Sequence, residues 1–345
     1  MNPLLAEPAG RECKPEFLDM PPALLQQIST IAGRSVVGGE IAYGGFSASA
    51  NFVLFLEGGG KIFAKGNHPL EMAHGTQTLR QEVYIYQNMP VLRDIAPRFL
   101  GTVSDGNEDG WMLGLWVYIE AAPPAPPTTA AILKALLAWQ RADADGAALK
   151  DFRTQNYISG FFSGQKKWLR LRDEIKVRQA FCALFVEPEA AEIWLQHNLS
   201  VLTVWQEKIE DMRMPEGPLH GDLRADNILQ DLSGRVLIVD WPNACRGPFI
   251  FDLLFLSASR EAAGGETIEN FLHAHAMQGG AAASQEAVIA MAVTMAGFLA
   301  DQARRAIPEK LPRLRWMQQS LLLVLLNFLE RAGITESIPR MTNQV

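Results

Sequence analysis

The sequence predicts an α+β chain in two parts: a small antiparallel sheet with one helix, then a mainly helical remainder. Three observations carry this. Residues 35–118 form short apolar runs separated by glycine turns, the pattern of strands joined by tight hairpins. The stretch EAAPPAPP, residues 120–127, can continue neither a central strand nor a helix. From Thr128 onward the apolar residues recur at helical spacing.

Taken in order, residues 1–33 mix prolines with an amphipathic stretch, Pro22 to Ile31, that reads as a short helix. Strands are expected over Ser35–Tyr43, Asn51–Glu57 and Lys61–Lys65, with Gly44-Gly45 and Gly58-Gly59-Gly60 as the turns between them. The run TLRQEVYIYQNM around Glu82 is helical, with Leu79, Val83 and Tyr86 on one face. Two further strands are expected, Arg98–Ser104 and Trp111–Tyr118, about the turn DGNEDG. Beyond the prolines, Ala130–Ala142 is a helix opened by Thr128 or Thr129 as N-cap. Residues 189–211 form another, and 266–277, 284–306 and 308–331 close the chain, with Gly333 as the final stop. Residues 150–170 are rich in aromatics and glycine, and core packing is the expected fate of most of Tyr157, Phe161, Phe162 and Trp168.

The chemistry concentrates in residues 220–240, HGDLRADNILQDLSGRVLIVD. Two strand candidates, Asn227–Leu229 and Val236–Val239, flank the turn residues Asp231-Leu232-Ser233-Gly234. His220, Asp222 and Asn227 stand before the first strand and Asp240 directly after the second, so a hairpin gathers them at one end. Phosphoryl transfer from a nucleotide asks for a carboxylate to accept a hydroxyl proton and for oxygen ligands to magnesium. Asp222, Asn227 and Asp240 match those roles in order, as D-x-x-x-x-N followed by an Asp at the end of the next strand. The bland alternative is that Asp and Asn merely cap a turn, but a turn needs no second Asp beyond the far strand.

At HGDLRADNIL and the following IVDW the chain resembles the aminoglycoside phosphotransferase and choline kinase-like family, the small-molecule branch of the protein-kinase-like fold. The resemblance covers about residues 35–256. It implies a two-lobe α+β fold: an N-terminal lobe over 1–117, a hinge and proline-rich linker over 118–127, and a helical C-terminal lobe over 128–345. It implies transfer of the γ-phosphoryl of ATP, or of GTP, to a hydroxylated small molecule, with Mg2+ required. Asp222 would accept the acceptor's proton, and Asn227 and Asp240 would hold the metal. Lys65, fixed by Glu82, would sit on the phosphates.

In YGGFSASANF the N–H groups of Gly45, Phe46 and Ser47 would cradle the phosphates, and the backbone of Trp116, Val117 and Tyr118 would meet the purine edge. Arg224 is either a charge clamp on the transferred group or a solvent-facing turn residue. His220 is expected to be structural. In WPNACRGPFIFDLLFL, Asp252 matches the structural Asp that receives hydrogen bonds from the catalytic-loop backbone. The aromatics of 150–170 would help shape the acceptor pocket. Gly221 stands where a regulated protein kinase carries Arg, which argues against control by activation-loop phosphorylation. Two rival readings are a protein kinase and a silent nucleotide-binding regulator that has kept the fold.

The formal net charge of -7 disfavours nucleic acid and anionic membranes as partners. Three cysteines without metal-ligand spacing suggest neither a disulfide framework nor zinc, and the apolar runs near 287–300 and 321–329 read as too short to span a bilayer. A cytoplasmic monomer or dimer is expected. Residues 1–122 hold 8 Lys+Arg against 13 Asp+Glu, and 123–345 hold 23 against 25. A polycationic aminoglycoside would call for the acidic surplus in the second lobe, so a neutral or singly charged hydroxylated acceptor is the expectation, with an aminoglycoside as the alternative. The basic residues Arg304, Arg305, Lys310, Arg313 and Arg315 are expected to form a solvated face.

Overall fold

The computed structural model describes residues 5–69, 74–107, 110–121, 126–142 and 166–342. Tyr157, Phe161, Phe162 and the middle of the proline-rich stretch lie outside them. The chain divides into two compact units. One comprises Arg11–Ala148 with Asp226–Ala244, here the sheet unit; the other comprises Met1–Gly10, Leu149–Ala225 and Cys245–Val345, here the helical unit.

In the sheet unit, helix α1 (Pro22–Ala32) precedes strands β1 (Val36–Ile41), β2 (Ala50–Leu56) and β3 (Lys61–Asn67). Helix α2 (His74–Asn88) and the single turn α3 (Leu92–Ile95) follow, then β4 (Phe99–Ser104), β5 (Met112–Val117) and α4 (Thr129–Gln140). The five strands form one antiparallel sheet in the order β1-β2-β3-β5-β4. Phe52, Leu54, Leu113 and Leu115 join Leu24 and Ile28 of α1 in one apolar core. Phe17 packs edge-on to Phe52, and its ring lies where a Cβ on Gly39 would be 2.6 Å away, so β1 carries glycine at that point. The N-cap of α4 is Thr128, whose hydroxyl accepts from Ala131 N at 3.3 Å.

The helical unit continues with α5 (Lys167–Asp173), α6 (Ile175–Cys182), α7 (Pro188–Lys208) and β6 (Glu216–Leu219). The chain then re-enters the sheet unit as the hairpin β7 (Ile228–Gln230) and β8 (Val236–Ile238). It leaves again through β9 (Cys245–Pro248), which pairs with β6, and ends in α8 (Ile250–Ala262), α9 (Ile268–Met277), α10 (Gln285–Ala303) and α11 (Leu314–Arg331). The last helix begins six residues later than the sequence suggested, because Pro308 and Pro312 hold the preceding segment in turns. By length and composition α10 could cross a membrane, against the sequence expectation. Of its most apolar window, 78% is buried inside the protein, as in a core helix. Trp168 is buried in this core, donating from Nε1 to Val293 O at 2.8 Å, which takes it out of the pocket-lining candidates.

Of the predicted solvated basic face, Arg305 and Lys310 are exposed, Arg313 and Arg315 are buried, and Arg304 and Arg305 converge with two further cations on a buried carboxylate hub. Asp301, 1% exposed, accepts from Lys167 (3.4 Å), Arg170 (3.1 Å), Arg304 and Arg305 (2.6 Å). Burial pushes its carboxyl up, but the Arg304 and Arg305 hydrogen bonds outweigh this and hold it at about 2. Removing the carboxylate leaves four cations facing one another, two of them, Lys167 and Arg304, largely buried. Asp301→Ala should therefore cost roughly 3–5 kcal/mol in chemical denaturation, and a change below about 1 kcal/mol, the scale of an ordinary substitution, would show the hub to be inessential.

Candidate active site

Each unit carries one group of chemically active side chains. In the sheet unit, β3 presents Lys65 and α2 presents Glu82, whose neighbours Leu79 and Ile85 are buried. Lys65 Nζ lies 2.9 Å from Glu82 Oε2 and 2.5 Å from Asp240 Oδ1. Glu82 uses its other oxygen to accept from Trp241 N at 3.1 Å. Burial alone would lower the proton affinity of Lys65, but the charges and hydrogen bonds of Asp240 and Glu82 outweigh it, so the ammonium is held well above the ordinary lysine range.

Asp240 is fixed from both sides of the chain. Val239 N donates to Asn227 O at 3.0 Å, which extends the Ile228–Ile238 pairing by one step and brings Asn227 and Asp240 to the same end of the hairpin. On the far side Trp241 is buried, edge-on to Trp139 at 4.7 Å and donating to Ile238 O at 2.9 Å. Among the described residues Asp240 is the only non-glycine with positive φ, at 69°. Such backbone strain persists where the surroundings over-determine it, and it is concentrated at functional positions. The turn closing the hairpin is set by Asp231, whose Oδ1 accepts from Ser233 N and Arg235 N.

In the helical unit, Asp252 on α8 anchors the loop before the hairpin. Its carboxylate accepts from His220 N at 2.6 Å and Gly221 N at 3.0 Å, as the resemblance implied. His220 is fully buried and its Nδ1 accepts from Asp222 N at 3.3 Å, a structural role. Arg224 does not face solvent. It is 7% exposed, and its Nη1 reaches Asp222 Oδ1 at 2.7 Å and Oδ2 at 2.9 Å. Ala225 N donates to Ser259 Oγ at 2.8 Å and ends the loop.

Burial raises the Asp252 carboxyl to about 7, although the two backbone donors pull the other way. The unfolded chain gives up this proton near pH 4, so between there and pH 7 the folded state binds more protons. Stability from this group is therefore fully present at low pH and is lost as pH rises through about 7. Melting temperatures followed from pH 5 to 8 should fall more steeply for the native protein than for Asp252→Asn, and parallel slopes would rule out titration of Asp252 in this window.

The remaining predicted positions fall as follows. Gly45 has φ 67° in the loop between β1 and β2, and Ser47 O there accepts from Lys14 Nζ at 2.9 Å. Phe46 lies between them in the same loop. Trp116 is buried among Phe63, Tyr86 and Phe99, so its side chain is spent on packing. Val117 N donates to Arg98 O at 2.9 Å, and the Tyr118 ring stacks under Lys61 Nζ at 5.1 Å. Tyr118 and Glu120 face Asp231 and Ser233 across an open hollow of about 250 Å³. Sequence reasoning passed over Lys14, which no motif contains.

Residues 48–287 match the model of the aminoglycoside-type phosphotransferases, described as the Phosphotransferase enzyme family. The chain belongs to this family. As an APH-family phosphotransferase it shares the protein-kinase-like α+β fold expected from its sequence with several solved structures. Spectinomycin phosphotransferase APH(9)-Ia, in complex with ADP and spectinomycin, matches with a TM-score of 0.58 at 14% identity, over 88% of this chain and 97% of that one. A thermostable mutant of aminoglycoside phosphotransferase APH(4)-Ia, in a ternary complex with AMP-PNP and hygromycin B, matches at 0.54 and 14% identity, over 89% and 99%. A protein from Thermobifida fusca YX-ER1 with the provisional name fructosamine-3-kinase matches at 0.51 and 15% identity, over 87% and 98%. No curated protein sequence matches this APH-family chain.

Proposed function

We propose that this phosphotransferase moves the γ-phosphoryl of ATP, or alternatively of GTP, to a hydroxyl of a small molecule. The observation that carries the reading is the convergence of Glu82 and Asp240 on Lys65, at 2.9 and 2.5 Å. That is the lysine arrangement which phosphoryl transfer uses to grip nucleotide phosphates. Lys65, steered by Glu82, holds the phosphates. Asp222 orients the acceptor hydroxyl and takes its proton, while Arg224, already on that carboxylate, keeps its plane fixed and offers a guanidinium to the charge that develops on the phosphoryl group.

Asn227 and Asp240 are hard oxygen donors at one end of a hairpin, with Asp240 partly open to solvent, and this donor chemistry suits magnesium. When bound there, the ion would neutralise phosphate charge. Kinase-class neighbours in complex with ADP and AMP-PNP support the choice of an adenine nucleotide.

For the acceptor we propose a neutral or singly charged hydroxylated metabolite, supported by the small acidic surplus of residues 123–345. The second reading is an aminoglycoside-type antibiotic, favoured by the spectinomycin and hygromycin B that the neighbours bind. A coupled ADP-release assay with magnesium ATP and GTP, run against aminoglycosides, choline-like amines, sugars and amino-acid alcohols, separates them. Turnover confined to a multiply charged aminoglycoside would replace the first acceptor reading by the second. Absence of turnover with every acceptor, together with absence of nucleotide binding, would overturn the kinase reading.

A further inference from the structure

The loop Ala42–Ser49 between β1 and β2 is held from outside by a residue far from it in sequence. Lys14 is 8% exposed, and its ammonium donates to Ser47 O at 2.9 Å and Ser49 O at 3.2 Å. With the Asn51 amide turned so that its nitrogen donates to Ala50 O at 3.0 Å, the Asn51 oxygen also accepts from Lys14, at 3.1 Å. Three oxygens of the loop and its following strand thus lie around one ammonium.

The segment carrying Lys14 is itself fixed to the sheet. Glu16 and Asp19 close a capping box around the single turn Phe17–Asp19, Phe17 lies against Phe52 and Gly39, and Met20 is buried in the core. Lys14 therefore ties the loop to a rigid base. All peptide bonds here are trans, and a trans peptide points its C=O and N–H in opposite directions. Drawing the Ser47 carbonyl onto Lys14 turns the Ala48 N–H away from Lys14.

We propose that Lys14 is a positioning residue for the nucleotide phosphates: it fixes the 47–48 peptide so that the Ala48 N–H joins those of Gly45, Phe46 and Ser47 as a phosphate donor. This rests on the reading of the loop as the phosphate cradle. Fixed N–H groups bind anions because their orientation is settled before the ligand arrives. Loss of the tether falls on phosphate binding and leaves base recognition and turnover at saturation alone.

The test compares binding of MgADP and of adenosine to the full-length protein by calorimetry, with kcat and KM for ATP alongside. Lys14→Met should weaken MgADP binding and raise the KM for ATP by about tenfold, the worth of one charge-assisted hydrogen bond. Adenosine affinity and kcat should stay within about twofold, a difference too small to mark the loss of a hydrogen bond. Lys14→Arg should restore most of the MgADP affinity. If Lys14→Met does not accumulate as folded protein, Lys14→Gln, which keeps one amide donor, gives the same comparison. Equal losses for MgADP and adenosine, or no loss for either, would overturn the proposal. Lys65→Ala serves as the control: if it abolishes MgADP binding while Lys14→Met does not weaken it, only the role of Lys14 fails. If neither substitution affects MgADP, the nucleotide-site reading fails with it.

Discussion

Asp222→Asn should lower turnover by about two to four powers of ten, the scale on which a positioned acid or base contributes. The replacement keeps the size of the side chain and one acceptor oxygen for Arg224, so the loop held by Asp252 should retain its shape. What disappears is the capacity to take a proton from the acceptor. Affinity for MgATP should be nearly unchanged, because the groups assigned to the phosphates, Lys65 and Asp240, belong to the sheet unit and Asp222 to the helical unit. Steady-state kinetics together with nucleotide binding separate these effects. An Asp222→Asn enzyme that keeps most of its activity would remove Asp222 from the chemistry.

Asp240→Asn should weaken MgADP binding on the order of a hundredfold, as expected for loss of a charged ligand worth about 2–3 kcal/mol. Asn is among the few residues that accept a left-handed backbone, so the strain at φ 69° does not grow and folding should survive. Binding of ADP without magnesium should persist, because Lys65 keeps its second partner, Glu82, at 2.9 Å. The decisive comparison is calorimetry with and without the metal. Equal losses in both would mean that Asp240 acts on Lys65 alone and holds no ion.

How much of this was legible depended on whether the signal was local. The strands β1 to β5 are written in alternating apolar runs with glycine turns, and Asp231 to Gly234 spell their own turn, so these elements stand within a residue or two of where the sequence puts them. The short pair β6 and β9, GPL and CRG at its centre, has no alternation to read, since glycine and proline carry none. Helix α8 escaped for the opposite reason: most of Ile250 to Ala258 is buried, which leaves an apolar run without a periodic face.

Within the site, Asp222, Asn227 and Asp240 announce themselves by spacing. The approach of Lys65 to Asp240 joins positions separated by 175 residues and is fixed by tertiary packing alone. Arg224 was open between two readings because a turn residue and a carboxylate clamp look identical in sequence, and only its burial against Asp222 decides. Lys14 had no motif to mark it, since its partners are backbone carbonyls, which any residue supplies.

The hairpin of β7 and β8 is an excursion: residues 226–244 belong to the sheet unit, yet the chain on both sides belongs to the helical unit, and β6 and β9 pair with each other at its base. This has a consequence for how such a protein can be inherited. A single genetic crossover cannot exchange the sheet unit whole, because taking residues 11–148 from one parent leaves Asn227 and Asp240 with the other. A hybrid joined anywhere from 66 to 239 would pair the lysine of one lineage with the Asp240 of another, so the contact between them comes from a single parent only when both parts of the sheet unit do.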